Sequence, residues 1–153
     1  MWRASVRVKA CLALSGAAVL CLGAVSLSGC GVTGRAGAQP AARVVPVTEK
    51  DFRITAPTHL SAGRVRLSVS NFGPDAHELI VARVGGGAPL PLRRDGLTVD
   101  EERIQAATVG SLEPAPPGSH RQLTVDLTPG RYALFCNMSG HYLGGMRAEL
   151  VVE

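Results

Sequence analysis

Apolar and polar residues alternate along this chain in short runs, and turn signals separate the runs. Residues 64–70 alternate strictly, which places Val65, Leu67 and Val69 on one face of a half-buried strand. Residues 43–47 and 51–55 have strand composition, and Pro57 fits an edge or a turn. Residues 77–84 set Leu79 and Val81 on the same face as His77, then meet Gly85-Gly86-Gly87. Residues 122–127 and 131–135 flank Thr128-Pro129-Gly130, which reads as a hairpin connection. Residues 147–152 close the pattern with Leu150 and Val152 on one side. About seven short strands with regular turns predict an all-β chain, folded as an antiparallel β-sandwich. Residues 88–120 break the rhythm. Thr98-Val99-Asp100-Glu101 resembles a capping box, so a short helix is expected at 99–107, with Pro114, Pro116 and Pro117 ending it.

The first thirty residues belong to targeting rather than to the fold. Arg3, Arg7 and Lys9 precede a stretch from 10 to 27 that is apolar or small throughout. The stretch ends in Leu27-Ser28-Gly29-Cys30, which resembles the lipobox of bacterial lipoproteins. That resemblance implies a signal peptide at 1–29, cleavage before Cys30 and a diacylglyceryl group on its sulfur. It implies a protein that is exported and anchored to the outer face of the bacterial cell membrane. An uncleaved membrane helix and an ordinary secretory signal are the alternatives. Residues 30–42, small and Gly/Ala-rich after the Cys, read as a flexible tether. Residues 43–153 then make one domain with a single core.

Removing the targeting segment changes both the charge and the cysteine count. Of the formal net charge of +4, three units belong to Arg3, Arg7 and Lys9, and no basic run is longer than Arg93-Arg94. A nucleic-acid partner is therefore not expected. Of the four Cys, Cys11 and Cys21 lie in the signal and Cys30 at its end, which leaves Cys136 alone in the domain. An internal disulfide is excluded. A lone thiol in an exported protein is open to oxidation unless it serves as a ligand.

Cys136 lies in such a setting. Cys136, His141 and Met146 follow an apolar strand, with four residues between each pair, and His77 follows the turn Asn71-Phe72-Gly73-Pro74-Asp75-Ala76. A thiolate, two imidazoles and a weak thioether form the donor set that selects copper in a blue-copper electron-transfer centre. The set resembles the cupredoxins, and its spacing is similar to their rusticyanin and sulfocyanin branch. The resemblance covers residues 43–153, with specificity confined to the two ligand loops. It implies a Greek-key β-sandwich and one type 1 copper ion. It also implies a trigonal plane of His77, Cys136 and His141, an axial Met146, Nδ1 as the ligating ring nitrogen, and His141 as the electron port. Met138, mid-loop, is the competing thioether.

One departure stands out. Many cupredoxins place Asn after the first His, where it ties the ligand loops together, but Glu78 stands here and Asn137 follows the Cys. Glu78 is expected to accept from backbone N–H groups of the Cys loop. Tyr142 and Leu143 are either an apolar rim around His141 or plain packing. His59 and His120 are expected to be solvated in turns.

Four readings compete. The first is a membrane-tethered carrier of single electrons between a redox protein donor and an acceptor such as a terminal oxidase; it is not an enzyme. The alternative is a copper-binding or delivery lipoprotein, disfavoured because no Met/His-rich tract follows the signal. Copper oxidases and nitrite reductases need further copper centres, for which four His are too few. A metal-free adhesive sandwich would make the Cys–His–Met spacing a coincidence.

Overall fold

The computed structural model describes residues 41–86 and 89–153. The signal segment, Cys30 and the tether up to residue 40 lie outside the described residues. The strands are β1 (Arg43–Lys50), β2 (Arg53–Thr55), β3 (His59–Leu60), β4 (Gly63–Asn71), β5 (His77–Val84), β6 (Thr108–Ala115), β7 (His120–Leu127), β8 (Gly130–Phe135) and β9 (Arg147–Val152). A short helix α1 (Glu101–Ile104) and a 3-10 turn (Gln105–Ala107) precede β6. Among the described residues no helix is long and apolar enough to cross a membrane.

Two sheets form the sandwich, one ordered β2-β1-β4-β7 and the other β3-β9-β8-β5-β6. The sandwich is as expected, but it is mixed rather than purely antiparallel: β1 runs parallel to β4, and β3 runs parallel to β9. Alternation along a strand reports burial, not the direction of its neighbour, so the sequence pattern is blind to this difference. Thr128-Pro129-Gly130 is not a hairpin either, because β7 and β8 lie in different sheets. It is a corner between the sheets. The buried Tyr132 holds it, its hydroxyl donating to Thr128 O at 2.9 Å and accepting from Thr128 N at 3.2 Å.

The main core fills the space between the sheets with Val45, Val47, Val65, Leu67, Val69, Leu79, Val81, Val125, Leu134 and Leu150, and it extends to Cys136 and Met146. Strand β5 breaks simple alternation because both its faces are covered. Ile80 and Ala82 face outward from the sandwich, where Val99, Ile104, Phe135 and Tyr142 form a second apolar cluster with them. The segment between β5 and β6 thus packs on the outside of the second sheet. Its helix is shorter than expected and starts later. Asp100, not Thr98, caps it, accepting from Arg103 N at 3.2 Å, while the Thr98 hydroxyl bonds Asp95 instead. Pro114 lies inside β6, an edge strand that the sequence pattern does not reveal.

Candidate metal centre

Three of the four candidate ligands stand where a strand of the second sheet meets a loop at one end of the sandwich, and His141 lies within the loop between β8 and β9. His77 opens β5, Cys136 follows the last residue of β8, and Met146 immediately precedes β9. The loop between Cys136 and Met146 is held by its own backbone. Cys136 N donates to Met146 O (3.1 Å), Met146 N to His141 O (3.0 Å), and His141 N to Met138 O (2.9 Å). This chain of bonds fixes where the sulfur, the imidazole and the thioether residue stand relative to one another.

The potential ligand atoms of His77, Cys136 and His141 all lie within 4.8 Å of one another. Cys136 Sγ is 3.5 Å from His141 Nδ1, and the two imidazole rings have centroids 5.2 Å apart. Cys136 and Met146 are fully buried in the same apolar cluster, and His141 is half-buried. Met138 is only partly buried and packs on the core from mid-loop. His77 is 1% exposed, yet neither of its ring nitrogens has a hydrogen-bond partner among the described residues. A buried imidazole with both nitrogens unpaired is costly unless something fills the gap, and a bound cation would fill it. Its Nε2 lies against Gly73, where a Cβ would come within 2.8 Å, which leaves Nδ1 for the cluster.

The electrostatics favour soft-metal donors. Burial first, and the neighbouring His141 second, hold the His77 pKa down, so the ring is neutral and its lone pair available. Burial pushes the Cys136 thiol up, so the thiolate needs a bound metal to stabilise it. The donor set fits a type 1 copper site: two imidazoles and one thiol close together, with a buried Met beside them.

The neighbours hold the loops. Glu78 Oε1 accepts from Asn137 N at 3.0 Å, joining the residue after the first His to the residue after the Cys. Asn137 in turn clamps the outer segment. Its Oδ1 accepts from Val99 N (2.5 Å), and its Nδ2 donates to Val99 O (3.1 Å) and to Glu101 Oε1 (2.7 Å). Tyr142 is packing rather than rim, meeting Phe135 edge-on with the Arg147 guanidinium over its ring, whereas Leu143 is exposed. His59 and His120 open strands instead of standing in turns. Both are exposed, His59 near Glu153 and His120 hydrogen-bonded to Ser70 Oγ at 2.8 Å.

Sequence reasoning missed a buried polar layer under the His77 loop. Glu49 continues the inward face of Val45 and Val47, and its register partner Asn71 is likewise buried. Asn71 shapes the loop to His77: its Oδ1 accepts from Gly73 N, and its Nδ2 donates to Asp75 O and Ala115 O. Arg121 reaches Glu49 Oε2 at 2.7 Å and also bonds Glu113 O. The one signal for this layer was a Glu in a core-facing place of an alternating strand.

Among solved structures, auracyanin B superposes with a TM-score of 0.56 at 23% identity, covering 73% of this chain and 89% of that chain. Dithionite-reduced auracyanin from the photosynthetic bacterium Roseiflexus castenholzii gives 0.54 at 16%, covering 74% and 98%. Reduced rusticyanin gives 0.54 at 19%, covering 74% and 81%. The chain has the cupredoxin fold. No family model matches the sequence, and a search of curated protein sequences finds no match. Within this cupredoxin frame, His77, Cys136, His141 and Met146 converge at one end of the sheet formed by β3, β9, β8, β5 and β6.

Proposed function

We propose that this cupredoxin is a type 1 copper protein that passes single electrons between redox proteins, exported and held at the outer face of a bacterial membrane by a lipid on Cys30. The observation that carries the copper reading is His77, deeply buried, with both nitrogens unpaired, inside a cluster with Cys136 and His141. Bound copper would supply a one-electron couple, with His77, Cys136 and His141 as strong ligands and Met146 as a weak fourth. The chain's own work is to keep those side chains in place. The backbone bonds around Cys136 and Met146, the Glu78–Asn137 bond and the Asn71 loop do this without metal. A site that does not rearrange suits a metal that changes only its charge. Half-buried His141 is the ligand through which an electron would enter or leave.

The anchor reading rests on the residues before Cys30, and the fold accommodates it. Strand β1 starts at Arg43, and its other end turns into Asp51–Phe52 beside His141. A strand of that length spans about 26 Å. The described chain therefore begins at the end of the sandwich remote from the ligands.

The test is an optical spectrum of the purified protein with one equivalent of Cu(II), taken through reduction by ascorbate and re-oxidation. An intense thiolate-to-copper band that bleaches and returns with copper still bound is expected. Copper released on reduction would indicate delivery instead of electron transfer, and no band at all would remove the type 1 assignment. Cell fractionation of Cys30→Ser, expected to move the protein from the membrane to the soluble fraction, tests the anchor separately.

A further inference from the structure

A two-residue turn, Asp51–Phe52, joins β1 to β2, with Lys50 and Arg53 paired across it. Phe52 has φ 53° and is the only non-glycine residue with a positive φ among the described residues. Tight hairpin turns place glycine or asparagine in that region, because a Cβ crowds the backbone there. Phe52 is also 51% exposed. A bulky aromatic ring, half in water and on a left-handed backbone, does nothing for the hairpin. Residues kept in such conformations mark places where another requirement dominates.

The surroundings identify that requirement. The Phe52 ring meets the His141 ring edge-on, with centroids 5.4 Å apart and planes at 62°. On its other side it covers Gly144, where any Cβ would collide with the ring, and Phe52 O lies 3.4 Å from the Cβ position of Gly145. The other turn residue, Asp51, stands by the first ligand: a Cβ on Gly73 would come within 2.9 Å of Asp51 Oδ1 and 2.8 Å of His77 Nε2. One turn from the first sheet thus bears on both ligand loops of the second. Each loop has a glycine where the turn presses on it.

We propose that Phe52 is a positioning residue for His141. His141 is the half-exposed ligand and sits on a loop rather than a strand, so its ring is the one with room to swing outward. The Phe52 ring blocks that motion, keeps Nδ1 facing the Cys136 sulfur and shields the buried thiol from solvent. This inference rests on the reading of His77, Cys136 and His141 as copper ligands.

Phe52→Gly separates the two roles, because glycine is the residue the backbone prefers and the variant is expected to fold. In the full chain without metal, the thermal midpoint should hold or rise. Alkylation of Cys136, followed by peptide mass mapping, should be about tenfold faster. With copper loaded, release to a chelator should also speed up about tenfold, the usual scale for residues that orient ligands. Phe52→Tyr should restore both rates. Unchanged alkylation and release in Phe52→Gly would overturn the inference, and so would a lowered midpoint, which would make Phe52 a fold residue. Failure of the parent protein to give a blue band would instead overturn the copper reading, and the alkylation arm distinguishes the two.

Discussion

At the scale of single residues, the least expected group is Glu49, whose carboxylate is wholly buried, with Oε2 on Arg121 and Oε1 unpaired among the described residues. Burial raises its pKa, and the attraction of Arg121 only partly offsets this. A carboxyl whose folded pKa is raised stabilises the fold when protonated. That contribution is complete below the unfolded value and is lost as pH rises through the folded one. At neutral pH the carboxylate therefore depends on Arg121. Arg121→Met should cost about 3 kcal/mol at pH 7, since it strands a buried charge. The deficit should shrink as pH falls through the raised Glu49 value, because the proton then replaces the guanidinium. Denaturant midpoints of both proteins, followed from pH 7 down to the ordinary carboxylate range, would show it. A deficit constant over that range would mean that Arg121 acts through its packing and its bond to Glu113 O rather than through Glu49. Glu78 is a second case: Glu78→Ala removes the acceptor of Asn137 N and should broaden the copper absorption and EPR lines. Identical spectra would leave Glu78 without a role in ordering the Cys loop.

At the scale of elements, the segment before β6 is attached to the metal loop by Asn137, by a Gly140 N to Leu97 O bond and by a Leu90 N to Tyr142 hydroxyl bond. Asn137 satisfies both the N–H and the C=O of Val99, which is fully buried, and reaches Glu101 at the start of α1. Asn137→Ala leaves those two backbone groups buried and unpaired, at a cost of roughly 3 kcal/mol. Limited trypsin digestion should then cut faster at Arg93, Arg94 or Arg103, while a protected segment would place the attachment in the Leu97 and Leu90 bonds and the apolar contacts of Ile104 and Val99 instead. How legible these elements were follows from the range of the forces that make them. Strand β4 was plain because Val65, Leu67 and Val69 alternate with polar residues on a face open to water. Strand β6 was not, because an edge strand carrying Gly110 and Pro114 has few apolar positions to mark it. The corner at Thr128–Gly130 mimics a hairpin turn locally, and only the separation of β7 and β8 into two sheets distinguishes them. The donors were legible because Cys, His and Met carry their chemistry in their identity. Phe52 and Asn71 matter only through what the fold sets beside them, which no local pattern records, and Glu49 is marked only by its core-facing place in an alternating strand.

At the scale of the whole molecule, the ligands draw on different strands of one sheet, and the opposite sheet covers them with the β1–β2 turn. A metal held there would tie the start of β5 to the loop between β8 and β9, and both to a core that runs unbroken up to Cys136 and Met146. Without metal, the buried nitrogens of His77 remain unpaired, a penalty on the order of 1–3 kcal/mol against the fold. Relief of that penalty is part of the binding free energy, and bound metal stabilises the fold by mass action, about 4 kcal/mol at a free concentration a thousandfold above Kd. Copper should therefore raise the thermal midpoint strongly. His77→Ala should behave asymmetrically: the metal-free form should lose little, because the unpaired nitrogens go with the ring, while the copper-induced rise should largely disappear. Calorimetry of both proteins with and without Cu(II) makes the comparison. If His77→Ala kept the full copper-induced rise, copper would be binding elsewhere, and the buried imidazole would be an element of the core rather than a ligand.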